Sequence, residues 1–180
     1  MNGTARQQFF DVLSANCGKK YPGFGYGVTA ALIATVVEPN EQSKAWDWAF
    51  QTFRMRPDLA SDARIRQGDL WRQAGDKGRA YEAYVDVVKQ FPNEGVFVVE
   101  ALDRAEQMLL AAKKEAAMVE MYKDSWRRIS RPSSTSAGSF RQSNFYQVGE
   151  RYAAALERMG QTNEAGNVRR QIDRGVDKEK

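Results

Sequence analysis

The sequence contains no histidine and only one cysteine, Cys17. The first absence removes the commonest general base near neutral pH and the commonest transition-metal ligand. The second leaves no internal disulfide and too few thiolates for a structural zinc site. Cys17 reads as a small packed thiol. Asn16 stands where a lipoprotein cleavage box needs a small residue, and no apolar run leads into it. Long hydrophobic runs are missing too. The longest uncharged stretch, Tyr21 to Val37, is broken by Pro22, Gly23, Gly25 and Gly27, and its apolar part from Val28 to Val37 is about half of a bilayer span. No membrane insertion is expected.

Arg6, Gln7, Gln8 and Asp11 surround Phe9 and Phe10, so the start lacks the continuous apolar region of a signal peptide. The compartment reads as cytoplasmic by default, and as exported or periplasmic if a signal has been removed. An excess of one charge sign is also lacking. Lys and Arg outnumber Asp and Glu by 27 − 23 = 4, a mild bias at 180 residues, and no nucleic-acid partner is expected from it. The glycine-rich run Gly23-Phe24-Gly25-Tyr26-Gly27 follows no strand and lacks Lys and Ser/Thr at phosphate-loop spacing, so it is expected to be a turn before a helix. Neither a cofactor nor a metal is expected.

What is present is a period. Pro22, Pro57 and Pro92 stand 35 residues apart, and Ala45 and Ala80 keep the same spacing. Two helices of about 12 to 14 residues joined by a tight turn fill such a length. The clearest unit runs from Ser61 to Pro92. It carries Gly68, Leu70 and Trp71, then Gly75-Asp76, then Ala80, Tyr84 and Val87 or Val88, and it closes on Phe91-Pro92. Gly68 and Ala80 are small where two helices of a hairpin approach, Trp71 and Tyr84 fill the space beside them, and Gly75 and Pro92 end the two helices.

This pattern resembles the tetratricopeptide repeat (TPR). Arg64 and Gln67 depart from it, standing where the family prefers apolar residues, and looser packing of this unit on its predecessor is expected there. The resemblance implies an all-α, right-handed α-solenoid of about four TPR-like helical hairpins in a single domain spanning 1–180. An N-terminal helix or half repeat would cover 4–22, repeats 26–59, 61–94 and 96–130, a loop 131–142, a last repeat 143–172 and a polar tail 173–180. In the first repeat a helix from Val28 to Val37, a turn at Pro39-Asn40 and a helix from Ser43 to Phe53 are expected, closed by Met55-Arg56-Pro57. In the third, Val98, Ala101, Leu102, Ala105, Met108 and Leu109 recur at helical spacing, and Ala117, Met121 and Trp126 face inward from a helix over Lys114 to Arg128. In the last, Phe145, Val148, Tyr152, Ala155, Leu156 and Met159 line a helix that Gly160 stops, and Ala165 to Ile172 form a shorter one.

The chain is therefore read as a non-catalytic protein-protein interaction module, a scaffold that binds a peptide or partner segment on its concave face. The alternative is an accessory helical domain of a larger enzyme, envelope or secretion assembly. The resemblance assigns to the concave face Ile65, Asp69 and Arg72, Leu102, Glu106 and Leu109, and Glu150 and Glu157. It places Ala30, Ala34, Val37, Asp62, Val99, Gln147 and Ala154 on the same face. Arg72 is the one cation in this set, which disfavours the clamping of acidic tails. An apolar and basic partner fits better. The groove would instead be closed if the first helix filled it with Phe9, Phe10 and Leu13. Asp62 and Asp69 share a helix face, but nothing marks a pocket for acid–base work around them. Trp46, Trp71 and Trp126 read as core, and Trp48 has no assigned place. Arg127, Arg128, Arg131 and Arg141 flank a serine-rich loop able to meet an anion, and Arg127-Arg128-Ile129-Ser130 resembles a basophilic kinase site.

Overall fold

A computed structural model of the chain describes residue 8 and residues 22–36, 38–132 and 137–173. The expectations for Phe9, Phe10, Leu13, Cys17, Val37 and residues 174–180 lie outside the described residues. Within them the chain is all-helical, with nine helices that pack against their neighbours and no strand. None of these helices is long and apolar enough to cross a membrane. The chain divides into two compact units, Met1–Ala83 and Tyr84–Lys180.

In the first unit α1 (Pro22–Ile33), α2 (Pro39–Thr52) and α3 (Pro57–Gln73) pack on one another. Proline opens all three, where its fixed φ suits the helix and its missing N–H would have had no partner. Pro39 and Pro57, expected in a turn and at the close of a repeat, are thus first residues of helices. The glycine run expected as a turn is also helical, forming the start of α1. Each glycine costs about 1 kcal/mol in a helix. Tertiary contacts of Tyr26 offset this: it is buried, meets the edge of the Phe53 ring at 5.3 Å, and donates to Asp62 on α3. The Thr29 hydroxyl, fully buried, donates back to the Gly25 carbonyl. The core of this unit is Ile33, Trp46, Phe50, Phe53, Ile65 and Trp71 with alanines between them.

Helix α4 (Lys77–Gln90) crosses the boundary between the units. The second unit contains α5 (Gly95–Ala111), α6 (Glu115–Arg128), α7 (Ala137–Gln142), α8 (Asn144–Arg158) and α9 (Thr162–Asp173). Helix α5 packs on α6 and α8, α6 on α8, and α8 on α7 and α9. On α6 the inward face is Met118, Val119, Met121, Tyr122 and Ser125, while Ala117 is exposed and Trp126 half-buried. The expected register was therefore off by one position at Ala117. Part of the expected loop over 131–142 is the short α7. It forms because Phe140, 2 % exposed, packs beside Phe145 and Tyr146, with ring centroids 6.3 and 6.0 Å away.

Three connections share one geometry. After α3, α5 and α8 a single residue turns left-handed: Gly75 (φ 82°), Lys113 (φ 55°) and Gly160 (φ 74°). Each time the next N–H donates back five residues at 2.9 Å: Asp76 to Trp71, Lys114 to Leu109 and Gln161 to Leu156. The turning residue itself donates back three, to Arg72, Leu110 and Glu157. This paired closure is the Schellman motif. A new helix starts directly afterwards, and its first accepted bond runs to the same Asp76, Lys114 or Gln161 carbonyl, from Ala80, Met118 and Ala165. The buried residue before each turn and the buried residue after it are nine positions apart in all three: 71 to 80, 109 to 118 and 156 to 165.

Candidate partner-binding face

The expected face divides by burial. Ile65 (2 % exposed), Leu102 (0 %) and Leu109 (7 %) are core residues of their units, because the helical periodicity that placed them on one stripe is the stripe each helix buries against its neighbours. Their side chains are closed to a partner. Asp69 is half-buried and Arg72 exposed, and their side chains pair with each other at 3.4 Å. Ala30, Val99, Gln147 and Ala154 are half-buried, and Ala34 is exposed.

The carboxylates carry cations of their own. In the first unit Asp62 accepts from the Tyr26 hydroxyl at 2.5 Å and from Arg66 Nε at 2.6 Å. In the second, Glu106 accepts from the Tyr122 hydroxyl at 2.8 Å and from Arg158 Nη1 at 3.4 Å. Each unit thus contains a buried tyrosine, a carboxylate and an arginine in one chain of bonds. Burial first, and the adjacent carboxylate second, push both phenols well above the ordinary tyrosine value. A phenol held in that state is a fixed donor at neutral pH, and each bond ties two helices together, α1 to α3 and α6 to α5. Arg66 was findable in the sequence as the i+4 neighbour of Asp62. Arg158 was not, since it lies 52 residues from Glu106.

Glu150 and Glu157 share one cation. Arg169 on α9 bonds both Glu157 oxygens, and its Nε reaches Glu150 at 3.4 Å. The guanidinium holds the Glu157 carboxyl below the usual carboxylate range. Two carboxylates against one guanidinium leave a net negative charge on this edge of α8. Sequence reasoning missed Arg169 because it belongs to the second helix of the hairpin, whereas the face was read from first helices alone.

Arg64 and Gln67, the departures from the repeat pattern, face α2. Gln67 Nε2 donates to the carbonyl and hydroxyl of Ser43, both at 3.0 Å. Arg64 bonds Asp47 at 3.0 Å and Gln67 at 2.6 Å, and its guanidinium lies 3.9 Å from the Phe50 ring centroid. The two residues replace apolar packing with a bonded polar contact between α2 and α3. Trp48, unplaced in the sequence, is half-buried on α2.

Two adjoining hollows of about 280 and 320 Å³ lie between α6 and the α8–α9 hairpin, sharing Lys123, Tyr152 and Glu164. The Tyr152 hydroxyl donates to Glu164 at 3.3 Å, and burial, then Glu164, push its phenol up to about 12. Among the described residues no three of Cys, Asp or Glu stand together as metal ligands. No family model matches this sequence, and no curated protein matches it.

Proposed function

We propose that the chain is a TPR-like right-handed α-solenoid of about four hairpins that works as a non-catalytic protein-binding module. The observation that carries this reading is the threefold recurrence of the same turn, with a left-handed residue at 75, 113 and 160 and buried residues nine apart across it. Helical hairpins repeated in this way bury a continuous core by stacking and leave one face for a partner.

The accessible members of the expected set are Asp69 and Arg72 in the first unit, and Glu106, Glu150 and Glu157 in the second. The edge around Glu150 and Glu157 keeps one negative charge after Arg169 is counted, which favours a basic partner segment, while the apolar side chains expected to meet it, Ile65, Leu102 and Leu109, are buried. Selection of a random peptide library on the immobilised full chain tests this. The expected outcome is enrichment of basic segments whose affinity falls about tenfold in a Glu150→Lys, Glu157→Lys double variant. Failure to enrich any segment, or segments indifferent to the double variant, overturns the assignment.

A further inference from the structure

Among the described residues nine arginines hold a carboxylate within 3.4 Å. Arg127, Arg128, Arg131 and Arg141 hold none, and all four are exposed. The reason is visible in the sequence. Residues 125–149 contain these four arginines and no Asp, Glu or Lys, so they carry +4, while the rest of the chain balances at 23 cationic against 23 acidic residues. The whole formal excess of the protein sits in this one segment.

Arg127 lines the hollow beside Tyr152 and Glu164, and the described residues next to Arg131 and Arg141 hold one another in place. Trp126 Nε1 donates to the Phe145 carbonyl at 3.0 Å, and the two rings lie 5.2 Å apart. The Arg131 guanidinium stands over the Phe145 ring at 5.7 Å, and Arg141 follows Phe140, whose ring packs on Phe145. The end of α6 is pinned as well: Ser130 N–H donates to Asn93 Oδ1 at 2.8 Å, and Asn93 Nδ2 returns a bond to Ser130 Oγ at 3.2 Å. Arg127 and Arg128 in the last turn of α6 gain from the negative end of that helix. Arg141 stands likewise in the last turn of α7, while Arg131 lies outside any helix, and this explanation does not reach it.

We infer that Arg127, Arg128, Arg131 and Arg141 form a second binding surface, for a carboxylate-rich segment of a partner protein. It is independent of the face around Glu150 and Glu157 and opposite to it in charge. Every cation of the patch is an arginine, whose planar fork matches a carboxylate with two parallel bonds. Arg56 and Arg169 make this two-bond pairing inside the chain, on Asp58 and Glu157, and the other seven paired arginines reach a carboxylate through one contact. Single-stranded nucleic acid fits less well, since base stacking needs free aromatic faces. Here Phe140 is buried, Phe145 is covered by Trp126 and Arg131, and Tyr146 meets the Phe140 ring.

The test measures fluorescence anisotropy of labelled deca-glutamate and of a ten-residue oligothymidine with the full chain, at low and high salt. Arg127→Gln/Arg128→Gln and Arg131→Gln/Arg141→Gln double variants are compared with Arg56→Gln/Arg104→Gln, which removes the same charge from paired positions. Melting curves confirm that each variant folds. The expected result is salt-sensitive binding of deca-glutamate, weakened about tenfold by either patch variant and within about twofold of the parent in the control. Absence of deca-glutamate binding overturns the inference, as does equal weakening in the control, which would reduce the effect to net charge. Tighter binding of oligothymidine, lost in the patch variants, overturns it in favour of nucleic acid. Substituting Glu150 and Glu157 does not weaken this binding, so the two surfaces fail or stand separately.

Discussion

The two compact units reach the same helical packing by different chemistry. In the first, aromatic rings and polar side chains join the helices. Arg64 stacks on Phe50, Arg66 lies 5.6 Å from Trp46, Arg79 lies 3.6 Å from Trp71, and Gln67 is bonded to Ser43. In the second, aliphatic and sulfur-bearing side chains, Val98, Leu102, Met118, Val148, Leu156 and Ile172, fill most of the interior, and rings gather in one cluster of Trp126, Phe140, Phe145 and Tyr152. The contrast teaches that a helix interface tolerates polar side chains when most of them find a partner, the buried Ser61 hydroxyl being an exception, and that small cores gain from rings that also hold cations.

The largest expected effect tests the aromatic side. Trp71→Ala should destabilise the protein by about 3 to 5 kcal/mol in chemical denaturation, since the ring is 7 % exposed and also carries Arg79. An unchanged midpoint would mean that the first unit does not depend on its rings. Gln67→Leu restores the apolar residue that the repeat pattern prefers, yet it strips Ser43 and Arg64 of a partner, and a loss of about 1 to 3 kcal/mol is expected. A gain in stability would instead show that the polar contact costs more than it returns.

The second unit is tested by overfilling. A Cβ at Gly149 would lie 2.8 Å from both Ile172 Cδ1 and Trp126 Nε1. Gly149→Ala should therefore cost about 1 to 3 kcal/mol and shift the Trp126 emission as its bond to the Phe145 carbonyl is strained. Wild-type stability with unchanged emission would show slack where the structure has none. A smaller effect of opposite sign is expected at the turn after α5. Lys113→Gly relieves a left-handed φ of 55° and should raise stability by about 1 kcal/mol, read as a higher melting temperature.

One prediction makes the units alike. Tyr26 and Tyr122 both have raised phenol values, so the folded state resists ionisation that the unfolded chain undergoes near pH 10. Their contribution is fully present below about pH 10 and is lost as pH rises above it. Tyr26→Phe and Tyr122→Phe should each flatten the alkaline limb of a stability–pH curve, with no change in its shape near neutrality. A limb altered by one substitution alone would separate the units again.

Much of the fold was legible because helical periodicity and turn residues are local signals. Gly75, Gly160 and the apolar stripe of α5 could be read directly. The start of α1 was not, because its glycines argue against a helix and only Tyr26 meeting Phe53 and Asp62, from two other helices, decides the matter. The candidate face was half legible. Its carboxylates were in view, but Arg158 and Arg169, which neutralise much of their charge, come from distant positions. Ile65 and Leu102 show the converse fault: apolar periodicity marks what a helix buries, and it does not say whether the chain itself or a partner does the burying.

The left-handed residue after α3, α5 and α8 is Gly, Lys and Gly in turn, and the residues that follow it are Asp, Lys and Gln. What recurs at the turn itself is a left-handed φ and two backbone bonds, none of which belongs to a side chain. Residue identity can therefore differ widely at a turn whose backbone stays the same, so likeness between these three segments is better sought in torsion angles than in letters.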